Sequence, residues 1–504
     1  MAKSKRSKDW FKPKSYVHID MPLDLSSRMA VKSIVTNKRL IARYAFKPLI
    51  HRCHKTPKYI KANGIPKRGI KRRHIFFACH LDSQIYSYYS SILQRKYENW
   101  LIANGLNNSI IAYRSIPIDG TIDKCKCHIH FAKEVFDKIA ELGDNHAVGV
   151  IVADISGFFD NLDHKLLKKE WHDLLGLSSL PADHYNVFKA ITNYSFIEEK
   201  KLFSHFKDRI ISGNKDSYRK KSVARIKYLR DCRAIAYCQG CDIKEIRESG
   251  LISTVVRDDQ TIKMTGKGIP QGLPISATLA NIYMRGFDVR MEKAAKESGG
   301  IYRRYSDDIV MVTPLAYRRH CLNRMVAAIS DVGLEIQKKK TSLYVFEKDA
   351  SKGLKCFPDD ENPDCSINYL GLNYDGMTIR LKSKSISRHY DRMRRKIKSQ
   401  MSYALKSSAE PSERRIFENQ FIYRFSKVGQ RPFASFKWEN HEGQKIRIPI
   451  KRKKYGNFLT YVGKVSKICK SDAITRQLSR NLNISRLLMA NAKEYIQKKV
   501  YSHD

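Results

Sequence analysis

Aspartates stand at the ends of two apolar, β-prone stretches, and this pattern most constrains how the chain can fold. The segment 148–155 is typical of a buried strand and carries Asp154 at its end. The runs 301–305 and 309–313 flank Asp307-Asp308, which predicts a hairpin with carboxylates at its turn. Such aspartates are either ordinary turn residues or metal ligands, since Mg²⁺ prefers carboxylate oxygens. Carboxylates from two strands can hold a pair of ions about 3.5–4 Å apart.

The charge of the chain points to a polyanionic partner. Its 95 Lys and Arg residues outnumber 50 Asp and Glu residues, which gives a formal net charge of +45. Nucleic acid is the first candidate, because phosphate contacts and counterion release dominate its binding. A membrane surface comes second, but the sequence shows no amphipathic anchor. The basic residues cluster within Lys3–Lys14, Lys67–Arg73, Arg219–Arg233, Arg388–Lys398 and Lys451–Lys454.

Composition excludes several other classes of protein. With 504 residues and 42% hydrophobic residues, the chain can form about two to four domains with substantial cores. It lacks the run of about 18–20 apolar residues that a membrane span needs, and its first 16 residues lack the apolar stretch of a secretory signal. The 11 cysteines are typical of free thiols in a reducing cytosol, so we expect a cytoplasmic protein with no membrane partner.

Two groups of cysteines and histidines resemble zinc ligands in type. They are Cys125, Cys127, His128 and His130, and Cys232, Cys238 and Cys241. Neither group has two well-spaced ligand pairs, so we predict unliganded thiols.

Periodicity predicts the other elements. Helices are expected at 83–101, 279–291 and 318–332, and the basic run Arg219–Arg233 also has helical character. The segments 367–374 and 377–381 predict a hairpin through Asp375-Gly376. From Ser385 onward the pattern is mainly helical, with a β-like stretch at 433–450.

Five motifs in order resemble the palm motifs of reverse transcriptases. They are Asp154-Ile-Ser-Gly-Phe-Phe-Asp160, Gly268-Ile-Pro-Gln-Gly-Leu-Pro-Ile-Ser276, Tyr305-Ser-Asp-Asp308, Gly333-Leu-Glu-Ile-Gln337 with Lys340-Thr341, and Tyr369-Leu-Gly-Leu372. Upstream, Arg73-His-Ile with Asp82, Tyr113-Arg114 and Cys127-His128 resemble the fingers motifs of bacterial members, although Ala78 replaces the usual proline. The resemblance covers about residues 65 to 380. It implies an α+β right-hand polymerase, with fingers, an antiparallel palm sheet, a thumb and an extra, mostly helical C-terminal region.

The resemblance also implies roles for individual residues. Asp154, Asp307 and Asp308 would be catalytic and would hold two Mg²⁺ ions, for which Mn²⁺ could substitute, together with the backbone carbonyl of Ile155. The nucleotide pocket would be formed by Arg73, Phe159, Gln271, Gly272 and Lys340. Phe159 would act as a steric gate against ribonucleotides, or else be a core aromatic. Arg73 would contact the triphosphate or the nucleic-acid backbone, and Lys340 would approach the leaving phosphates or remain solvated.

Domain boundaries and nucleic-acid contacts follow from the same resemblance and from the basic runs. We expect a basic N-terminal arm at 1–60, fingers at 61–147, palm at 148–168, a fingers insertion at 169–262, palm at 263–380, and a thumb with a C-terminal RNA-binding region at 381–504. The residues expected to contact nucleic acid are Arg114, Tyr305, Arg219, Lys220, Lys221, Arg225, Arg392 and Arg395.

Departures from known classes suggest a subgroup. The second motif lacks the glycine pair and Ser-Pro of group II intron enzymes and the Ser-Gln of diversity-generating enzymes, and the thumb lacks the retron Val-Thr-Gly. What remains resembles the bacterial reverse transcriptases linked to antiphage defence. This implies an RNA-directed DNA polymerase with a noncoding RNA, deoxynucleotides and a DNA product as partners, and homo-oligomerisation as an option. A maturase-like RNA-binding scaffold and a template-independent nucleotidyl transferase stay open as alternatives.

Overall fold

The computed structural model describes residues 9–62, 65–121, 124–214, 216–254, 257–258, 261–262, 266–349, 353–358, 365–406, 416–427, 433–441, 444–453 and 456–501. The first eight residues of the predicted basic arm and Lys454 of the last basic run lie outside these ranges. Within them, none of the helices combines the length and the apolar character needed to cross a membrane.

Helices and strands are both abundant, in keeping with the predicted α+β class. The helices are α1 Arg28–Thr36, α2 Lys38–Arg43, α3 His80–Ala103, α4 His128–Gly143, α5 His164–Leu175, α6 Ala182–Thr192, α7 Glu199–Phe206, α8 Ile243–Glu248, α9 Ser276–Tyr283, α10 Arg285–Glu297, α11 Arg318–Asp331, α12 Ser383–Leu405, α13 Glu418–Phe425, α14 Phe458–Cys469, α15 Ala473–Arg476 and α16 Asn481–Tyr501.

The strands are β1 Leu49–Ala62, β2 Ile65–Phe77, β3 Val148–Asp154, β4 Phe196–Glu198, β5 Ile210–Asn214, β6 Ser217–Lys221, β7 Ala234–Ala236, β8 Ile252–Ser253, β9 Arg257–Asp258, β10 Thr261–Ile262, β11 Ile301–Tyr305, β12 Asp308–Pro314, β13 Ser342–Asp349, β14 Gly353–Phe357, β15 Ile367–Tyr369, β16 Leu372–Tyr374, β17 Ile379–Leu381, β18 Phe433–His441 and β19 Gln444–Lys453.

The chain divides into two compact units. The first comprises residues 1–114, 153–311 and 319–341, and the second comprises 115–152, 312–318 and 342–504. One sheet has five strands, in the order β11-β12-β3-β13-β14. The predicted buried strand and the predicted hairpin around Asp307-Asp308 are therefore confirmed.

The first unit is organised around α3 and two further sheets. Ile85, Tyr89, Leu93, Tyr97 and Leu101 recur every four residues of α3 and are all buried, so the predicted helix is confirmed. Burying one such side chain contributes about 1.5–3 kcal/mol. The sheets have the orders β2-β1-β4-β8 and β6-β5-β7.

The second unit combines antiparallel strands with a helical core. Strand β13 pairs antiparallel with residues 148–152 of β3 and with β14. Helices α12, α13 and α16 pack around a buried cluster that includes Met393, Phe421, Phe425 and Ile496. The predicted helical region after Ser385 and the β-like stretch at 433–450 are confirmed by α12 and by the β18–β19 hairpin.

Three predictions of secondary structure are wrong in detail. The run Arg219–Arg233 is not helical, because its first part pairs as β6 with β5 and leaves its basic side chains largely on the solvent side. The segment 367–374 is not one strand, since Leu370 (φ +46°) and Gly371 (φ +89°) form a tight turn between β15 and β16. The single helix expected at 279–291 is two helices, separated at Met284.

Candidate active site

Backbone hydrogen bonds place the motif aspartates on adjacent segments of the first unit. The Ile155 amide donates to the Asp307 carbonyl over 3.1 Å, and the Gln337 amide donates to the Asp154 carbonyl over 2.8 Å. Ile155 also forms an antiparallel bridge with Ile336. The end of β3 therefore lies beside the Asp307 turn and beside the segment that leads to Lys340.

The turn that carries Asp307 and Asp308 has a strained residue at its start. Ser306 adopts a left-handed conformation, with φ +64°, and is buried. Its hydroxyl lies 2.9 Å from the hydroxyl of Tyr113. Tyr113 is also left-handed, at φ +64°. This contact links Tyr113 of the fingers motif to the turn that presents Asp307.

A buried ion pair supports the same turn from within. Arg304 is 0% exposed and makes two hydrogen bonds to Asp288, of 2.7 and 2.6 Å. Its guanidinium also donates to the Ser306 carbonyl and to the Asn281 side chain, each over 3.2 Å. Such a pair is stable only when its geometry and remaining hydrogen bonds are satisfied.

Arg304 and Asp288 are not among the predicted site residues, although the sequence carries a signal for their pairing. Arg304 lies two residues after Tyr302 in β11, so both side chains face the interior of the alternating strand. An arginine at an inward position of a strand demands a buried partner. The Tyr302 hydroxyl donates to the same Asp288 carboxylate over 2.7 Å.

A lysine already occupies the Asp154 carboxylate. The Lys340 Nζ lies 2.6 Å from Asp154 Oδ1, with the lysine side chain 46% exposed and the aspartate 16% exposed. Lys340 ends a short 3₁₀ turn, Lys338–Lys340, which follows Gln337. Lys340 was expected either to approach the leaving phosphates or to remain solvated, and neither expectation included a contact with Asp154. The ammonium group marks the carboxylate as a position that accepts a cation.

The carboxylates fit a divalent metal by their chemistry and by this stand-in cation. Asp154, Asp307 and Asp308 are hard oxygen donors, and all three are partly exposed. Their ligand oxygens do not all approach within 4.8 Å of one another in the described structure. The backbone carbonyl of Ile155, one residue after Asp154, stays a predicted further ligand.

Phe159 belongs to a 3₁₀ turn that packs against the second motif. The Ile269 amide donates to the Phe159 carbonyl over 2.9 Å, and the Gly268 amide donates to the Leu162 carbonyl over 2.8 Å. Gly268 has φ +82°, and a Cβ there would lie 2.6 Å from the Asp160 carbonyl oxygen. Phe158 is buried whereas Phe159 is only half-buried, so Phe159 is the ring with an accessible face.

The second motif also contacts the end of β2. The Phe76 amide donates to the Gln271 carbonyl over 2.8 Å. Gly272 has φ +120°, and a Cβ there would lie 2.5 Å from the Phe76 carbonyl oxygen, so only glycine fits without a shift. Arg73 lies three residues before Phe76 on the same strand and is exposed. The structure thus brings together the segments of Arg73, Gln271 and Gly272.

Arg114 has a different environment from the one predicted. Its side chain is 1% exposed and ion-paired with Glu98. The Nε and Nη2 groups donate to Glu98, and the remaining N–H groups donate to Asn107 and to the Ile110 carbonyl. These bonds use all five donors of a guanidinium, so the structure shows Arg114 holding the loop before Tyr113 in place and not facing a ligand.

The other residues expected to contact nucleic acid are mostly accessible. Arg219, Lys220 and Arg225 are exposed in the first unit, and Lys221 and Tyr305 are half-buried. Arg392 and Arg395 are exposed on α12 of the second unit. Their role in binding stays a prediction.

Comparison with known proteins agrees with the motifs. Residues 230–374 match the family model described as reverse transcriptase (RNA-dependent DNA polymerase). The matched segment contains the second to fifth motifs and ends at residue 374, and Asp154 lies upstream of it. No curated protein sequence matches the chain.

Solved telomerase structures also align with the chain, at low similarity. Apo telomerase from Candida tropicalis is 12% identical, with 74% of this chain and 56% of that chain covered and a TM-score of 0.34. Telomerase from Candida albicans in complex with the TWJ fragment of telomeric RNA is 15% identical, with 76% and 55% covered and a TM-score of 0.36. At these scores the alignments carry no argument, and the chain spans only about half the length of these two proteins.

The family match, together with the order of the motifs, confirms the predicted polymerase fold class. The chain therefore contains a reverse transcriptase domain, the domain of RNA-directed DNA polymerases, which are nucleotidyltransferases.

Proposed function

We propose that the chain is an RNA-directed DNA polymerase that extends a primer with deoxynucleotides. The observation that carries this proposal is the side-by-side arrangement of Asp154 and Asp307, joined by the hydrogen bond from Ile155 to Asp307, with the Lys340 ammonium on Asp154. Carboxylates on neighbouring segments that already attract a cation are what phosphoryl transfer requires.

We further propose that Asp154, Asp307 and Asp308 hold two Mg²⁺ ions, with Mn²⁺ as a substitute. When bound, such ions activate the primer 3′-oxygen and neutralise charge on the leaving pyrophosphate. Lys340 then has to release Asp154. Because it is tethered beside Gln337, its ammonium would remain near the reacting phosphates, where it can stabilise or protonate the leaving group.

The nucleotide pocket in this proposal uses the segments that meet at the second motif. The accessible ring of Phe159 would exclude a ribose 2′-hydroxyl. Gly272 lets the backbone of the second motif approach β2 closely, which fixes Gln271 beneath the incoming nucleotide. Arg73, exposed on β2, would contact the triphosphate, since a guanidinium matches phosphate oxygens bidentately.

The partners and biological role are part of the proposal. The +45 charge and the exposed basic residues support binding of a structured noncoding RNA as template or scaffold. The motif departures from group II intron, retron and diversity-generating enzymes support a bacterial antiphage defence role in the cytoplasm. A homo-oligomer would be consistent with such a role.

A primer-extension assay tests the proposal. The protein, purified with its co-expressed RNA, is incubated with Mg²⁺ and labelled deoxynucleotides beside Asp307→Ala/Asp308→Ala. Asp331→Ala is a matched control, because Asp331 is an exposed aspartate ion-paired to Arg290. We expect labelled DNA from the wild type and the control only.

Other outcomes would replace the proposal. Absence of product from all three proteins, with RNA still bound, would favour the RNA-binding scaffold. Product whose sequence matches no bound RNA would favour a template-independent transferase.

A further inference from the structure

Four side chains of metal-ligand type meet in the interior of the first unit. We refer to His18, Asp20, Cys79 and His80 as the His–Cys cluster. His18, Asp20 and Cys79 each place one ligand atom within 4.8 Å of the others, and among the described residues no other group of three does so. The cluster joins the segment 18–20 to the start of α3, so it is formed by the tertiary fold and not by one motif.

The two histidines each direct one ring nitrogen into the cluster. His18 Nε2 lies 3.0 Å from the Phe77 carbonyl and therefore carries the proton, which leaves Nδ1 as a lone pair. The backbone of Tyr16 hydrogen-bonds the His80 ring. Because His80 Nε2 has no partner among the described residues, that bond is made by Nδ1. Both rings are thus oriented in the way that metal-binding histidines are, with the outer nitrogen held by backbone.

The cluster has more acceptors than protons. His18 Nδ1 lies 3.3 Å from Cys79 Sγ, whose single thiol proton can satisfy only that contact. Asp20 Oδ1 and His80 Nε2 are buried, lie 4.0 Å apart and have no hydrogen-bond partner in the described structure. Leaving such an atom buried and unpaired destabilises the folded state. Asp20 is 13% exposed and His80 is 2% exposed, so bulk water does not compensate.

The spacing of the His18, Asp20 and Cys79 ligand atoms suits one ion, whereas His80 Nε2 lies within 4.0 Å of Asp20 Oδ1 but outside that group of three and would have to move closer to complete a tetrahedron. The separations are 3.3 Å for Sγ to His18 Nδ1, 3.7 Å for that nitrogen to Asp20 Oδ1, and 4.0 Å for Asp20 Oδ1 to His80 Nε2. The edges of a tetrahedron with normal zinc bond lengths are about 3.3–3.6 Å. One thiolate and one carboxylate also balance a 2+ charge, so the filled site would be neutral. Lys47 favours the Asp20 carboxylate only from a distance.

The geometry points to a structural Zn²⁺ site formed by His18 Nδ1, Asp20 Oδ1, Cys79 Sγ and His80 Nε2. Binding displaces the thiol proton of Cys79 to solvent and satisfies both orphaned atoms. Imidazole and thiolate ligands favour zinc over Mg²⁺, and four protein ligands leave no open position for catalysis.

Such a site would fasten three segments of the first unit together. The Tyr237 amide donates to the His18 carbonyl over 2.8 Å, and Asp20 Oδ2 accepts from the His80 amide over 2.8 Å. The ion would therefore tie the N-terminal segment to the start of α3, and the hydrogen bond from Tyr237 links the segment after β7 to the same place. It would stabilise the part of the fingers motif that supports Gln271.

Metal analysis of the tag-free full chain tests the site. Elemental analysis after reconstitution with Zn²⁺ and desalting is expected to give about one zinc per chain. Cobalt substitution should give an intense tetrahedral spectrum with a thiolate-to-cobalt charge-transfer band. Cys79→Ser is expected to lose that band and to lower zinc affinity at least about tenfold. Cys238→Ser is the matched control, since Cys238 is a buried thiol of the same core cluster.

A second variant and measurements on the wild type distinguish the zinc site from the proposed active site and from a folding defect. Asp307→Ala/Asp308→Ala should retain the zinc, which separates this site from the proposed active site. If Cys79→Ser fails to fold, the wild-type cobalt spectrum and a zinc-dependent rise in its melting temperature carry the test. A wild type without zinc after reconstitution, a cobalt spectrum lacking the thiolate band, or equal loss in Cys238→Ser would overturn the assignment.

Discussion

The candidate active site and the His–Cys cluster are two candidate cation sites of opposite design. At the first, the carboxylates stand at strand ends and are partly exposed, and the ammonium of Lys340 contacts Asp154. At the second, imidazoles, a thiol and one carboxylate are enclosed, and their outer atoms are held by backbone. Hard oxygen donors open to solvent suit Mg²⁺, which keeps waters and binds substrate phosphates. Enclosed nitrogen and sulfur donors suit an ion that never leaves.

This difference indicates that the candidate active site, which is open to solvent, depends on surrounding residues to hold its carboxylates in position. A closed metal site is held in shape by its own ion, whereas Asp307 is presented by a turn that is fixed from behind by Arg304 and Ser306.

The largest expected effect separates the two sites by metal. Stripping all metal should abolish primer extension and lower the melting temperature. Returning Mg²⁺ should restore extension, and returning Zn²⁺ should restore stability. Asp307→Ala should lower extension on the order of 10³-fold, equivalent to about 4 kcal/mol of lost transition-state stabilisation, with no change in melting temperature. If Zn²⁺ alone restored primer extension, the assignment of Mg²⁺ to catalysis and of Zn²⁺ to stability would be wrong.

Breaking the buried support should cost stability. Arg304→Met leaves the Asp288 carboxylate buried without its cation, which is expected to lower the free energy of unfolding by about 3–5 kcal/mol. Denaturant unfolding measures this. The paired replacement Arg304→Met/Asp288→Leu is the control and should recover much of the loss. Equal destabilisation by the single and the double variant would show that the ion pair itself is not the cause.

Lys340 should be the movable cation of the open site. Lys340→Met removes a competitor for Asp154, so half-saturation by Mg²⁺ is expected at a lower concentration. It also removes the group near the leaving phosphates, and the maximal rate should fall about 10²-fold. Lys338→Met, on the same exposed turn, should change neither quantity. A rate loss with unchanged Mg²⁺ dependence would contradict the competition.

Phe159 should govern sugar selection. Phe159→Ala opens the accessible face beside the second motif, and the preference for deoxynucleotides over ribonucleotides is expected to fall about 10-fold to 100-fold. Competition between the two nucleotide types in single-nucleotide extension measures this. Phe158→Ala should instead reduce stability, because Phe158 is buried. If Phe159→Ala left the preference for deoxynucleotides unchanged, Phe159 would be a core aromatic and not a steric gate.

The smallest effect concerns the basic strand β6. Neutralising Arg219, Lys220 and Lys221 together should weaken binding of the co-purified RNA and reduce the slope of log K against log salt by about 0.7 to 0.9 for each lost phosphate contact. Arg290→Gln is a control basic residue on α10, where it pairs with Asp331. If the slope of log K against log salt did not change, β6 would not be part of the RNA-binding surface.

Much of the local structure was predictable because it depends on neighbours in sequence. Helical spacing of apolar residues predicted α3, and two short β-prone runs around Asp307-Asp308 predicted the β11–β12 hairpin. The predictions of secondary structure were wrong where strand pairing or a left-handed backbone conformation decided the local structure. Strand pairing overrode the helical spacing of Arg219–Arg233, and two left-handed residues split the strand expected at 367–374.

The sequence by itself determined the polymerase motifs, their order and the identity of the aspartates, since these depend on residue type and local spacing. Tertiary structure decided which groups meet. It placed Lys340 on Asp154, enclosed all five donors of Arg114, paired Arg304 with Asp288, and brought His18 and Asp20 to Cys79 and His80. These contacts join residues 4 to 186 positions apart in sequence. Their energies depend on burial and geometry, which local pattern does not specify.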